Sequence, residues 1–201
     1  MFITLEGTEA SGKSTHLRLL ADELSRLSYP VFTTREPGGS PVGEQIRNIL
    51  LHGEALDATA ELMLFLADRA QHVSQVIRPH LENGDIVLCD RYADSTVCYQ
   101  GYGRGLDIEF LRSLNCFVTK DLQPDLTLVF DLPIEIALTR RKREEGDRID
   151  CEEVSFHQRV REGFLKEVAR EPERFRVIDA STSIEAVFKD VLAIVLPILE
   201  R

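Results

Sequence analysis

The sequence lacks any run of about 18 apolar residues, and this absence excludes a helix that spans a membrane. It also lacks an excess of basic residues. The net charge is -10, which argues against a nucleic-acid-binding surface because such a surface needs a basic stripe. An anionic small molecule could still bind where basic groups are concentrated locally.

Paired cysteines are missing as well. The four cysteines lie far apart, with no CxxC pair and no histidine at metal-binding spacing. They predict buried free thiols in a reducing compartment. Because the sequence also carries no recognisable targeting signal, we expect a cytoplasmic protein.

Repeats, low-complexity tracts and flexible linkers are absent too, so the sequence predicts a single domain over residues 1–201. Short apolar runs alternate with longer segments whose apolar residues recur at helical spacing. These runs, which predict strands, are 1–6, 31–34, 85–90, 126–131 and 174–179. They are apolar on both faces, as is typical of strands in a buried parallel sheet. The predicted fold class is therefore α/β, with helices packed on a parallel sheet.

Acidic residues end four of these runs, at the sheet edge where ligands of such folds bind. They are Glu6, Asp90, Asp131 and Asp179. Asp90 follows the third run in the string "CDRY" (89–92), and a carboxylate there could hold Mg²⁺ or orient an acceptor.

A phosphate-binding loop follows the first run. The string "GTEASGKS" from Gly7 to Ser14 fits the pattern GxxxxGK[ST] between a strand and a helix. Lys13 could bridge the β- and γ-phosphates of a nucleotide, and Ser14 could ligate Mg²⁺. The residues expected to contact ATP here are Gly7, Thr8, Glu9, Ala10, Ser11, Gly12, Lys13, Ser14 and Thr15.

Such a loop also occurs in GTPases and motor ATPases. The string nearest to a guanine-reading motif, "TKDL" (119–122), has its aspartate one place early and precedes a strand. Helicases and transporters are usually longer and carry a basic or partner-binding surface. A nucleotide-dependent switch or binding module remains an alternative to an enzyme.

Three further strings describe a site for a phosphate acceptor. "TREPGG" (34–39) follows the second run with an arginine and a tight turn, and "DRYADSTVCYQG" (90–101) places hydroxyls, an amide and a cation close together. On the helix predicted over 64–72, Phe65 and Arg69 are one turn apart, so they could stack on a base and bond its edge.

The order of these strings, ending in "DRID" (147–150), resembles thymidylate kinase over roughly residues 1–165. The resemblance implies a P-loop nucleoside monophosphate kinase fold, with a five-stranded parallel sheet flanked by helices, and a homodimer. It implies transfer of the γ-phosphate of ATP to dTMP with Mg²⁺, giving dTDP. A kinase for UMP or CMP is the alternative within this class.

The same resemblance assigns roles around the acceptor. It implies that Phe65 stacks on thymine, that Arg69 and Thr96 face the base, and that Tyr99 lies beneath the sugar. Arg35 and Arg91 resemble the residues that hold the acceptor phosphate, and "VIDAS" (177–181) sits where the family binds adenine. The full set expected to contact the acceptor is Glu9, Arg35, Pro37, Phe65, Arg69, Asp90, Arg91, Ser95, Thr96, Tyr99 and Gln100.

A basic segment, "TRRKREEGDR" (139–148), is expected to form part of a lid over about 139–150. The phosphate loop contains no arginine, yet phosphoryl transfer needs cationic stabilisation beyond Lys13 and Mg²⁺. The chain resembles family members that supply this arginine from the lid. Arg143 is the expected finger, with Arg148 and Arg140 next, and these two are also expected to contact ATP. The expected catalytic set is Lys13, Arg143, Glu9 and Arg91.

Glu9 places a negative charge inside a loop that binds anions. A carboxylate aimed into the phosphate cradle would repel ATP, so we expect this side chain to point towards the acceptor. The resemblance supplies a target, the 3′-hydroxyl of the dTMP sugar. The alternative is that Glu9 caps the loop by accepting from backbone N–H groups.

Overall fold

The structure, a computed structural model, describes residues 1–140, 148–149 and 151–200. Its sheet has five strands: β1 (Phe2–Glu6), β2 (Val31–Arg35), β3 (Ile86–Asp90), β4 (Leu126–Asp131) and β5 (Phe175–Asp179). All neighbours are parallel, in the order β2-β3-β1-β4-β5. The predicted five-stranded parallel sheet is therefore confirmed, and each strand lies within a residue of its apolar run.

Burial differs between the inner and outer strands. β1, β3 and β4 are buried along nearly their whole length, whereas β2 and β5 expose several side chains. The expectation of two apolar faces for all five runs was thus wrong for the edge strands, which have a neighbour on one side only.

Helices cover both faces of the sheet. They are α1 (Lys13–Arg26), α2 (Pro41–His52), α3 (Ala58–His72), α4 (Arg78–Glu82), α5 (Ala93–Thr96), α6 (Ile108–Thr119), α7 (Ile134–Arg140), α8 (Val154–Arg170) and α9 (Ile184–Leu199). π-helical segments continue α3 over Val73–Ile77 and α5 over Val97–Gly103. In the ranges described, no helix is long and apolar enough to cross a membrane.

Side-chain caps explain where several helices begin. The Ser40 hydroxyl accepts from Gly43 N ahead of α2, which starts with a proline. Asp57 caps α3 and Asp107 caps α6, and the carboxylate of each accepts from N–H groups of the first turn. Such caps satisfy donors that have no partner within the helix.

Two apolar layers hold the sheet in place. Leucine and valine side chains of α1 and α9 form one buried cluster with residues of the sheet, which includes Leu20, Val191 and Leu128. On the other face, Phe156 and Phe164 of α8 form a cluster with Tyr99 of the second π-helical segment. The carboxyl ends of β1 and β3 lie side by side because these two strands pair in parallel. The loop that follows Glu6 therefore begins next to Asp90.

Candidate active site

The phosphate loop connects β1 to α1 through two glycines that no other residue could replace without strain. Gly7 has φ 134° and Gly12 has φ 88°, in the left-handed region that favours glycine. A Cβ at Gly7 would lie 2.5 Å from the Phe130 carbonyl oxygen. The loop thus leads directly into the N-terminus of α1, which attracts phosphate groups.

Lys13 is folded back on this loop. It is 6% exposed, and Nζ donates to the Thr8 carbonyl oxygen at 2.7 Å and to Ser11 Oγ at 3.3 Å. Burial, together with the nearby Arg91 guanidinium, lowers the pKa of Lys13 to about 8. Its cation is therefore held in place before any nucleotide binds, at the cost of part of its basicity.

Ser14 and Asp90 form the expected hydroxyl and carboxylate pair. Ser14 Oγ donates to Asp90 Oδ2, at the wall of an open cavity of about 320 Å³ that Lys13, Arg35 and Arg91 also line. Mg²⁺ is usually held by one or two protein oxygens together with substrate phosphates and waters. The pair fits that pattern, and the described residues offer no larger cluster of His, Cys, Asp or Glu for a metal.

Glu9 lines the cavity beside the phosphate loop, while one of its carboxylate oxygens is held by Tyr99 and Arg91. Its Oε1 accepts from Tyr99 Oη at 2.5 Å and from Arg91 Nη2 at 2.9 Å. Burial alone would raise the pKa of Glu9, but Arg91, His157 and Lys13 hold that pKa well below its usual range. Within the described part of the chain, no backbone N–H donates to this carboxylate, so the loop-capping alternative finds no support.

Arg91 joins the loop to the acceptor side. Its backbone has φ 70°, and Nη1 donates to the Gly7 carbonyl oxygen at 2.9 Å and to Ser95 Oγ at 3.3 Å. The guanidinium also lies 5.0 Å from the Tyr99 ring centroid. Its position next to Glu9 and the phosphate-loop backbone allows it to reach a phosphate on either side.

The acidic residues at the ends of the four strands lie in different environments. Glu6 is buried, where its carboxylate accepts from Tyr92 N at 2.7 Å and from Ser95 Oγ at 2.6 Å, and burial raises the pKa of Glu6 to about 7. Asp131 is paired with Arg161, and Asp179 accepts from Ser181. Of the four, only Asp90 lines the cavity next to the phosphate loop.

The acceptor residues surround a second cavity, of about 120 Å³, next to the first. Most of the residues predicted for the acceptor line it, namely Glu9, Pro37, Phe65, Arg69, Arg91, Ser95, Thr96, Tyr99 and Gln100. The two others, Arg35 and Asp90, line the phosphate-side cavity. The structure therefore brings residues from α3, the β3–α5 turn and the phosphate loop to one place, while their individual roles remain predictions.

Arg69 also serves the fold. It is 1% exposed, and it donates to Glu36 Oε2 at 2.8 Å, to Thr96 Oγ1 at 2.8 Å and, in addition, to Asn115 Oδ1 and the Tyr92 carbonyl oxygen. Glu36 in turn contacts His72 Nδ1 at 2.9 Å. The guanidinium thus holds the "TREPGG" loop against α3 and α6.

Asp68 fastens the same loop from α3. Its Oδ1 accepts from Gly38 N at 3.1 Å, and a Cβ at Gly43 would come within 2.2 Å of this oxygen. Burial raises the pKa of Asp68 to about 6, and the neighbouring Glu36 adds to the effect. The backbone at Gly38 and at Gly43 is therefore in close contact with Asp68 of α3.

Several residues of the site escaped the sequence reasoning. Glu36 and Arg47 line the acceptor cavity, and His157 lies beside Glu9. Glu61 accepts from Gln100, Arg104 and Arg148. Glu36 lies inside the "TREPGG" string and could have been predicted as a site residue. The other residues belong to no local motif that indicates the site.

The predicted lid arginines have different positions. Arg140 donates to the carbonyl oxygens of Ala180 and Ser181, beside a cavity of about 340 Å³ that Gly12, Thr15 and Thr182 also line. Arg148 instead lies at the acceptor side, where it donates to Glu61 and the Leu50 carbonyl oxygen, so its position differs from the expected one over ATP. Arg143 lies outside the described residues.

Comparisons with known proteins agree with this geometry. Residues 5–191 match the family model described as thymidylate kinase. A thymidylate kinase of Thermomicrobium roseum is 50% identical over 202 residues, with 100% of this chain and 96% of the relative covered. One of Nitratidesulfovibrio vulgaris is 54% identical over 210 residues, with coverages of 99% and 97%. The crystal structure of thymidylate kinase from Ehrlichia chaffeensis is similar with a TM-score of 0.79 and 36% identity, over 96% of this chain and 97% of that one.

Proposed function

Because the chain belongs to the thymidylate kinase family, we propose that it transfers the γ-phosphoryl group of ATP to dTMP and releases dTDP. The observation that carries the proposal is the position of Glu9. This carboxylate is part of the phosphate loop, yet it lines the cavity that contains Phe65 and Tyr99. The place for an acceptor nucleotide is thus directly next to the place for the donor phosphates.

The donor side would bind ATP along the loop. Backbone N–H groups after Gly7 and the N-terminus of α1 attract the phosphate chain. The Lys13 cation then neutralises charge that develops on the transferred group, since it already lies on the loop. The cavity beside Arg140 and Thr182 has room for the adenine base.

The acceptor side would hold dTMP by its base and its phosphate. Phe65 offers a ring for stacking, and Arg69 and Thr96 border the same cavity. Arg35 and Arg91, on the phosphate side, would bind the acceptor phosphate and direct it towards ATP. Positioning of this kind supplies much of the catalysis in phosphoryl transfer.

Mg²⁺ would be held by Ser14 and Asp90 together with phosphate oxygens and water, and it would neutralise charge on the phosphates when bound.

In line with the resemblance, we assign the finger role to Arg143 and a lid role to the segment around it, within a single domain. We also place the enzyme in the cytoplasm as a homodimer. The exposed Phe110 and Phe117 of α6 would suit contact with a second copy, which sedimentation would detect.

A coupled assay with ATP tests the activity. We expect dTMP to give the highest kcat/KM among dTMP, dUMP, UMP and CMP, because the Phe65 and Tyr99 rings border the cavity beside Arg69 and Thr96, the groups expected at the base. A preference for UMP or CMP would favour the alternative kinase. ATP hydrolysis that no monophosphate stimulates would instead favour a nucleotide-dependent switch.

A further inference from the structure

His157 lies beside the loop carboxylate and has no part in the function proposed above. It is on α8 and is 4% exposed. Its Nδ1 atom is 3.5 Å from Glu9 Oε2. The other carboxylate oxygen is held by Arg91 and Tyr99. The two oxygens of Glu9 therefore contact different parts of the fold, and α8 provides the contact to Oε2.

Three buried polar atoms belong to residues that line a small cavity on that side. Thr8 Oγ1, Glu9 Oε2 and His157 Nε2 have no hydrogen-bond partner among the residues that the structure describes. The three residues line one cavity of about 10 Å³, which is also lined by Ile134, Ala137 and Leu138 of α7. A buried water needs roughly 10–15 Å³ and two to four polar partners. The cavity is at the lower limit of that volume and offers three polar groups.

We propose that His157 is a positioning residue that holds the Glu9 carboxylate through Nδ1, and that one water molecule in this cavity links Thr8 Oγ1 to Glu9 Oε2. A separation of 3.5 Å is too long for a strong direct hydrogen bond. A bridging water is enthalpically nearly as good as a direct bond, so it would complete the hydrogen bonding of Glu9 Oε2. The inference rests on the proposed function, because it assigns Glu9 to the acceptor sugar.

The physical reason lies in the cost of a buried charge. An ionised carboxylate in this place needs donors on both oxygens. Arg91 and Tyr99 hold Oε1, and His157 with the water would hold Oε2. With both oxygens held, the carboxylate keeps one orientation towards the acceptor cavity, and the acceptor hydroxyl meets it without a further ordering cost.

Two substitutions separate positioning from mere packing. His157→Phe keeps a buried ring but removes both nitrogens, whereas His157→Asn keeps an amide nitrogen near the place of Nδ1. Gln158→Ala, at an exposed position on the same helix, is the matched control. We expect His157→Phe to raise the KM for dTMP about tenfold, with the KM for ATP unchanged. His157→Asn should recover most of the loss, and Gln158→Ala should behave like the wild-type chain.

The analogue 3′-deoxy-dTMP provides a second readout. The wild-type chain should discriminate against this analogue, and His157→Phe should lose most of the discrimination, because the missing hydroxyl and the misplaced carboxylate form one interaction. A structural role would instead lower the melting temperature and affect both substrates alike, without rescue by Asn. An unchanged KM for dTMP in His157→Phe, or fully additive losses with the analogue, would overturn the positioning role.

The water is tested by a high-resolution crystal structure. Density for one water bonded to Thr8 Oγ1 and Glu9 Oε2 is expected in the wild-type chain, and Thr8→Val should displace it. A dry cavity in the wild-type chain would overturn this part. A wild-type chain without dTMP kinase activity would contradict the proposed function itself, whereas an active wild-type chain with a silent His157→Phe would contradict the positioning role alone.

Discussion

Replacement of Arg69 by Met is expected to destabilise the fold by about 3–5 kcal/mol, the cost of breaking a buried ion pair from one side. Met fills much of the same volume but provides no donor. Glu36 Oε2 would lose its partner at 2.8 Å, and three further acceptors, on Thr96, Asn115 and Tyr92, would lose theirs. The carboxylate of Glu36 would remain buried, with its other oxygen still in contact with His72 Nδ1.

Thermal unfolding followed by circular dichroism measures this effect. For a chain of about 200 residues each kcal/mol corresponds to roughly 2–4 °C, so the midpoint should fall by about 6–20 °C. The double variant Arg69→Met/Glu36→Gln should recover part of the loss, because it also removes the charge left unpaired. A midpoint for Arg69→Met within about 2 °C of the wild type would refute the reasoning.

Phe65→Leu is the matched control within the acceptor cavity. Phe65 is half-buried and takes no part in the Arg69 ion pair. Leu keeps most of its apolar contact but removes the ring. We expect dTMP binding to weaken roughly three- to tenfold in equilibrium titration, with ATP binding and the melting temperature nearly unchanged. Equal losses for both nucleotides would mean that the ring supports the fold rather than the base.

Four further variants test the site. Glu9→Gln should raise the KM for dTMP about tenfold and leave ATP binding intact, and 3′-deoxy-dTMP should lose little more with this variant. The kcat/KM for ATP should fall as pH rises through about 8, where Lys13 loses its proton, and Lys13→Ala should lower kcat by about 10²–10³. Since the pKa of Asp68 is raised to about 6, folded chains bind its proton more tightly than unfolded ones, and the stability that this group contributes is lost as the pH rises from about 4 to 6. Asp68→Asn should show a smaller decline than the wild type in thermal melts across that range, because the raised pKa of Glu6 still contributes to it. Arg143→Ala should lower kcat by about 10³–10⁵ without a matching rise in the KM for dTMP, whereas an unchanged kcat would contradict the finger role.

Local sequence patterns were sufficient to predict the five strands and the phosphate loop. Apolar runs predicted all five strands. The reason holds for the inner strands β1, β3 and β4, because a strand buried in a parallel sheet needs apolar residues at each successive position, whereas β2 and β5 at the edges expose several side chains. The glycines of the loop were equally legible, since Gly7 and Gly12 have the positive φ angles that their spacing implies. Phe65 and Arg69 were predicted on one helix because residues four apart share a face, and both line the acceptor cavity. These signals act over a few residues, which is why they could be read without the fold.

Only the tertiary structure decided which charges meet. Asp131 and Asp90 end their strands in the same way, yet Arg161 pairs with the first and Ser14 with the second. Glu9 contacts Arg91 and His157 across 82 and 148 positions of the chain. Such pairs depend on the strand order β2-β3-β1-β4-β5, and hydrophobic periodicity carries no information about that order. The sequence by itself therefore determined the strands, the phosphate loop and the residue types of the site, whereas the packing of distant elements decided their partners, because electrostatic and hydrogen-bond contacts form between whichever side chains the fold brings within a few ångströms.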